Sequence, residues 1–408
     1  MRVVLSTYGS RGDVEPMAAL AVRLRERGAE VRVCAPPDEE FAERLAGVGV
    51  ELVPAGPSVR ELVTGVRPMA GSFQERAARL AAGYFDAVSA AAGGADAVVA
   101  TGLFPTVAGA RSAAEKLGVH FAYAALQPTM LPSPHHPPFA YPGHPHPAGV
   151  TDNRVLWELN VGVMNELFGG PVNEHRATVG LPPVDDVRTH VFTDRPWLAT
   201  DPVLGPWERP ADLDAVQSGA WILPDDRPLA VDLVAFLESG EPPVYVGFGS
   251  MPMGESRGTI AEDVVDAVRA QGRRIVVARG WADLAPIDGA EDCFVVGEVN
   301  QQALFPRVAA VVHHGGARTT TAAARAGTPQ VVVPQLVDQP YWAGRVAALA
   351  IGVAHDGPVP TAGSLSAALG TALGPEPRAR AAAVAGTVRA DGAAVAAEHL
   401  LELVGAGR

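Results

Sequence analysis

Short runs of β-branched and apolar residues alternate along the chain with stretches whose apolar positions recur at helical spacing. Val3-Val4-Leu5 gives way to a turn at Gly9–Gly12, after which Met17, Leu20, Ala21 and Leu24 fall on one helical face. Gly28 stands where a helix C-cap belongs. Glu30–Ala35, Ala97–Thr101 and His120–Ala124 read as further strands. The alternation then lapses and restarts. Val244–Phe248, Arg274–Ala278, Ala309–His313 and Gln330–Val333 read as strands, and Ile260–Ala270, Arg318–Ala326 and Gln339–Leu349 as helices. Such a pattern predicts an α/β protein whose parallel sheets are covered on both faces. Two similar halves place the expected site in the cleft between them, at the carboxyl ends of the strands.

The interruptions carry information of their own. Leu131–Val150 holds seven prolines and four histidines. Four clustered histidines invite a metal, but Pro137, Pro138, Pro142, Pro145 and Pro147 deny the i,i+4 display of a helical site, and no cysteine is near. The segment reads as a long functional surface loop, with no metal expected. Leu156–Leu167 is helical and apolar on most sides, which suits either core packing or a wall for a bulky apolar ligand. Residues 194–228 are proline-punctuated and read as a linker.

Composition narrows the class. The 408 residues are 48% hydrophobic and 19% charged, a globular balance long enough for two domains. A net charge of −13 argues against nucleic acid as partner. Lys116 is the one lysine among 32 basic residues, so a P-loop lysine is excluded and any phosphate seat must use arginine, hydroxyls or main-chain amides. Cys34 and Cys293 stand far apart, outside any C-x-x-C, as in a reduced cytoplasmic protein. The apolar start before Thr7 is too short for a signal-peptide core, and no apolar run suggests a membrane span. The expectation is a soluble, cytoplasmic protein.

Candidate chemistry gathers at strand ends. In His313-His314-Gly315-Gly316-Ala317-Arg318-Thr319-Thr320 an apolar strand runs into two glycines and then a helix. That is either an ordinary strand–helix turn or a seat for a diphosphate on a helix N-terminus. Gly247-Phe248-Gly249-Ser250 is similar in kind, and Pro252 rules out a dinucleotide fingerprint there. Gly9-Ser10-Arg11-Gly12-Asp13 adds a serine and a cation at the first strand's mouth. Asp13 and Asp338 each suit a general base, although an isolated Asp before a helix is more often its N-cap, and Pro340 fits the first turn after Asp338.

Taken in order, Gly9–Pro16, Gly247–Ser250, Arg279-Gly280-Trp281-Ala282-Asp283, Gly297-Glu298-Val299-Asn300, His313–Thr320 and Pro334-Gln335 through Asp338-Gln339 resemble a bacterial family-1 glycosyltransferase of the GT-B fold. Gly180–Val184 and Gly219–Pro224 resemble the actinobacterial enzymes that glycosylate glycopeptide-antibiotic aglycones. The arginine-for-lysine bias and abundant alanine agree with that source.

The resemblance implies two Rossmann-like domains. Residues 1–200 would bind the acceptor, 201–228 would link, 229–385 would bind the nucleotide sugar, and 386–408 would return to the first domain. It implies that His314, Gly316, Arg318, Thr319 and Ser250 hold the donor diphosphate, with Ser10 and Arg11 assisting from the other domain. Main chain at Val299 would meet the base, and Asp338 and Gln339 the sugar hydroxyls. Asp13 would take the acceptor's proton during an inverting, metal-independent transfer from a UDP- or dTDP-sugar, with no further cofactor. Arg318 departs from the family, which has glycine at that position. It either clamps the diphosphate or obstructs it, and charge favours the clamp. A polyketide-type aglycone, a nucleotide-sugar epimerase and a non-catalytic sugar-nucleotide-binding partner are the rival readings.

Overall fold

The computed structural model describes residues 1–251, 257–281, 283 and 290–406, with only the main chain of 257–259. Ala282 of the expected Arg279–Asp283 motif and residues 407–408 of the last segment lie outside the described residues. The chain divides into two compact units. One comprises Met1–Pro202, Pro206–Leu223 and Arg389–Arg408, the other Val203–Gly205 and Pro224–Val388.

The first unit is built on a seven-stranded sheet. Its strands are β1 (Arg2–Ser6), β2 (Glu30–Ala35), β3 (Glu51–Pro54), β4 (Ala97–Ala100), β5 (His120–Ala125), β6 (Trp197–Leu198) and β7 (Val216–Gln217), in the spatial order β3-β2-β1-β4-β5-β6-β7. Every pairing is parallel. β1 and β4 are almost wholly buried, as continuous apolar runs under two helical layers must be. The helix Arg11–Glu26 turns Met17, Leu20, Ala21 and Leu24 into the core, the face its spacing predicts. The helix Gly392–Ala406 packs against it, with Arg27 paired to Glu398.

The proline-rich stretch expected to link from 201 to 228 is more folded than its composition implies. Val216–Gln217 extends the sheet beside Trp197–Leu198, the Trp207 indole donates to the Leu213 carbonyl at 3.2 Å, and Trp221 is buried. Tryptophans bury a large apolar area, which anchors main chain that proline keeps out of longer ladders.

The second unit has a six-stranded sheet. Its strands are β8 (Val244–Gly247), β9 (Ile275–Ala278), β10 (Cys293–Val296), β11 (Ala310–His313), β12 (Gln330–Val332) and β13 (Gly352–Ala354), in the order β10-β9-β8-β11-β12-β13, again parallel. In each sheet the order reverses once, between β1 and β4 and between β8 and β11. A doubly wound sheet opens for ligands at such a reversal, outside the carboxyl ends.

Between the helices Phe73–Ala91 and Phe104–Leu117 the backbones come unusually close. A Cβ on Gly109 would lie 2.2 Å from the Ala81 carbonyl oxygen, whereas one on Gly83 would meet nothing within 4 Å. Gly109→Ala should therefore cost about 1–3 kcal/mol by overpacking. Gly83→Ala should gain roughly 0.5–1 kcal/mol, the ordinary helical preference for alanine. Equilibrium urea unfolding of the two variants checks this, and equal effects would refute the close-approach argument.

Candidate active site

The second unit places its candidate residues at the carboxyl ends of parallel strands. β11 delivers His313, which is completely buried. The main-chain amide of Gly315 donates to His313 Nδ1 at 3.1 Å, so Nε2 carries the proton and donates to Gln330 Oε1 at 2.8 Å. Gln330 Nε2 in turn donates to the Thr320 carbonyl at 3.3 Å. Burial pushes the His313 imidazole down to about 4, so it is a neutral strut. This brace was not foreseen from the sequence. The apolar strand around His313 and the buried Gln330 opening β12 are the signals that mark it.

Gly316 stands at the N-cap of the helix Ala317–Arg325 and brings no side chain to cap it, so the positive end of that helix is approached by main chain alone. His314 stands over this end in a slot lined by bare main chain. A Cβ on Gly316 would lie 2.7 Å from its Nε2, and one on Gly249, which has φ +59°, would lie 3.0 Å from its Cε1. His314 Nδ1 is buried without a hydrogen-bond partner among the described residues. Burial first, then His313 and Arg318, push this imidazole down to about 3. It therefore stays neutral and offers hydrogen bonds without charge. Arg318 enters in the first turn, close enough to act on His314 electrostatically. Thr320 and Thr321 turn their hydroxyls back onto the Gly316 and Ala317 carbonyls, at 3.0 and 2.8 Å, while Thr319 is buried beside them.

The loops after β8, β9 and β11 are knit together here. The Trp281 amide donates to the Gly249 carbonyl at 2.9 Å, and Ser250 follows in the same turn. Beyond β10, Val299 precedes Asn300, whose side chain accepts from the Ala303 amide at 3.1 Å and donates to the Asp225 and Arg227 carbonyls at 2.7 and 2.8 Å. These bonds fix the main chain at Val299.

After β12 the chain turns through Leu336 and Val337 into the helix Gln339–Ala348. Asp338 occupies the N-cap position but makes no cap bond. It accepts instead from the Trp342 indole at 2.7 Å. Burial lifts its carboxyl to about 6, against the lowering effect of that indole and of its own backbone amide. Gln339 is buried, and its Oε1 accepts from the Gln335 and Leu336 amides at 2.7 and 3.2 Å while its Nε2 faces Met251 Sδ at 3.4 Å. Its amide thus staples the loop that presents Asp338.

In the first unit Ser10 caps the helix Arg11–Glu26, its Oγ accepting from the Gly12 amide at 3.3 Å. Arg11 turns onto Glu15 at 2.6 Å, a buried carboxylate that Arg44 also engages. Asp13 stands in the first turn of this helix, half-buried, and is not its cap. The neighbouring loop after β4 is tied to it by the Leu103 amide, which donates to the Tyr8 carbonyl at 3.2 Å. Leu103 itself is 50% exposed.

Beside it lies an aromatic cluster that was not singled out in the sequence. Phe168 contacts Phe104, Phe73 and Tyr141 at centroid distances of 4.7, 5.4 and 5.8 Å, and Phe139 stands 5.0 Å from Tyr141. Phe168 is aimed there by a π-helical turn, Asn165–Gly169, between the helices Asn153–Met164 and Gly170–Thr178. In the helix Asn153–Met164, Leu156, Trp157 and Met164 pack inward while Val155 and Leu159 are exposed, so core and outward apolar face are both present.

The loop histidines disperse. His135 meets the Pro210 carbonyl at 2.9 Å, His146 the Pro138 carbonyl at 3.0 Å, and His144 lies 3.9 Å from Glu166. No group of metal-ligating side chains gathers among the described residues, and no helix among them is long and apolar enough to cross a membrane.

Residues 3–133 match the glycosyltransferase family 28 N-terminal domain, and residues 264–399 the erythromycin biosynthesis protein CIII-like C-terminal domain. A vancomycin aglycone glucosyltransferase of Amycolatopsis orientalis is 56% identical, with 99% of this chain and 98% of that protein covered. A dTDP-epi-vancosaminyltransferase of the same organism is 52% identical over 94% and 93% of the two chains. The crystal structure of a kitacinnamycin glycotransferase superposes with a TM-score of 0.72 over 99% and 98% of the two chains, at 19% identity. Identity of this order along the whole length, on a pair of doubly wound sheets, makes the chain a member of the bacterial family-1 glycosyltransferases of the GT-B fold.

Proposed function

We propose that the protein moves a hexose from a UDP- or dTDP-activated donor to a hydroxyl of a natural-product aglycone, a glycopeptide-antibiotic core in first place, with inversion at the anomeric carbon. The observation that carries the donor half is the uncapped helix N-terminus at the β8–β11 reversal, with neutral His314 slotted over it. A helix end carries roughly half a positive charge, and a diphosphate is the anion such an end suits. Ser250, Thr319 and Arg318 supply further donors, and main chain at Val299 meets the base. Asp338 accepts from sugar hydroxyls in its ionised form, while Gln339 supports the loop and reaches the sugar only if its staple loosens.

In the first unit Asp13 takes the proton of the acceptor hydroxyl. The acceptor oxygen then bonds to the anomeric carbon as the bond from that carbon to the diphosphate breaks, and the electron pair leaves with the diphosphate. Preorganised donors stabilise that developing charge, so neither a metal nor a further cofactor is required. Ser10, whose Oγ accepts from Gly12 and so keeps its hydroxyl donor, and Arg11, bonded to Glu15 through Nε, assist at the diphosphate in this reading. Leu103 and, at the rim of the ring cluster, Phe73 and Phe139 are exposed in the first unit and offer apolar surface suited to an aryl-rich aglycone. The similarity to enzymes named for vancomycin-type substrates supports that acceptor class. The reaction is assigned to the cytoplasm.

Mass spectrometry of the purified enzyme with a panel of UDP- and dTDP-sugars and mixed aglycones tests the whole reading. A glycosylated glycopeptide core is the expected product. Donor turnover without acceptor transfer would overturn it in favour of an epimerase or hydrolase. Asp13→Asn should lower kcat about 10²–10⁴-fold, the usual worth of a general base. Arg318→Gly should raise the donor KM about ten- to a hundredfold, the worth of a charged hydrogen bond of roughly 1.5–3 kcal/mol. An unchanged donor KM would defeat the clamp.

The acid limb of the pH profile follows from Asp338. Its carboxylate accepts hydroxyls, and burial raises its pKa to about 6, so donor affinity should weaken as pH falls through about 6. Asp338→Asn should show a weaker donor affinity that no longer varies there, read from donor KM between pH 5 and 8.

A further inference from the structure

Behind the Asp13 turn lies a buried phenol to which substrate binding assigns no task. Tyr84, on the helix Phe73–Ala91, is completely buried, and its hydroxyl donates to the Thr7 carbonyl at 2.6 Å, with the Ala55 carbonyl 3.3 Å away. Thr7 is completely buried too and is held by three bonds. Its amide donates to the Cys34 carbonyl at 2.9 Å, its carbonyl accepts from Tyr84, and its own hydroxyl donates to the Asp13 carbonyl at 3.3 Å. The Asp13 amide closes the turn onto the Ser10 carbonyl at 2.9 Å. The Asp13 carboxylate in turn lies against bare main chain, since a Cβ on Gly9 would come within 2.0 Å of Oδ2. A shift of Thr7 therefore moves the floor on which that carboxylate rests.

We propose that Tyr84 is a positioning residue for the Asp13 carboxylate, acting through Thr7. This rests on the reading of Asp13 as the base. A phenylalanine would fill the same space, so packing alone does not ask for the hydroxyl, and a buried hydroxyl is costly unless it is bonded. Burial, reinforced by Cys34, Tyr8 and Asp13, pushes the phenol well above its ordinary range, so it remains a donor at every working pH. Tyr8 packs edge-on to it at 5.8 Å and limits its movement. Proton transfer tolerates little misplacement, with about 1 Å worth on the order of a hundredfold in rate.

The experiment is a double-mutant cycle read by steady-state kinetics, with nucleoside diphosphate affinity measured separately. Tyr84→Phe should lower kcat about tenfold while leaving both KM values and diphosphate affinity unchanged. In the Asp13→Asn background it should cause no further loss in the residual rate. Thr7→Val cuts the same relay at its last bond and should give the same pattern, which guards against a Tyr84→Phe protein that does not fold. An unchanged kcat in the folded variants, or an equal loss in the Asp13→Asn background, overturns the positioning role and leaves Asp13 as base. An Asp13→Asn enzyme as fast as the parent overturns the base reading and this inference with it.

Discussion

Parallel pairing is the constraint from which the rest follows. A strand that runs beside its neighbour in the same direction must be reached by a crossover, so every strand of a sheet ends at the same edge. In this chain that edge collects Asp13 and Leu103 in the first unit, and Gly249, Trp281, Val299, His314 and Asp338 in the second. Gly249 thereby meets both Trp281 and His314, residues far from it in the chain. The reversals in strand order then leave room at β1–β4 and at β8–β11, where adjacent crossovers leave for opposite faces.

Electrostatics divides the work at the second edge. In a protein of net charge −13, the second edge brings together a helix N-terminus, Arg318 in its first turn and a histidine held neutral by burial. The neutral imidazole avoids a buried charge, which would cost several kcal/mol whenever no anion stands beside it. Asp338 is the opposite case, a carboxyl that burial lifts to about 6. Around both, groups that look like ligands in the chain act as braces. Gln339 staples its loop, and His313 with Gln330 ties β11 to β12 and to the helix that follows.

The first edge is organised by burial instead of charge. Arg11, Arg44 and Glu15 satisfy one another, which removes two cations from the surface near Asp13. Tyr84 donates to the Thr7 carbonyl beneath the turn that carries Asp13, and Phe104 and Phe168 pack together in the core behind the loop after β4.

The alternation of strand and helix, the two halves and the strand-end position of Gly9–Asp13, Gly249-Ser250 and His314–Thr319 were legible in the sequence, because hydrophobic period and glycine placement are local properties. The helix Arg11–Glu26 buries the face its spacing names. The folding of residues 206–223 into the first unit was not legible, since prolines report the local backbone and not the tryptophans that anchor it. Nor could the chain tell which polar side chains are committed. Gln339, Ser10 and Arg11 read as ligands by type and position, and the structure gives each a partner within five residues. The sequence by itself determined the family, the parallel-sheet class and the candidate chemistry at the strand ends. Tertiary structure alone decided that His314 is neutral, that Asp338 sits near its ionisation point and that Tyr84 stands behind Asp13. Burial and hydrogen-bond geometry arise from neighbours distant in sequence, which no local pattern encodes.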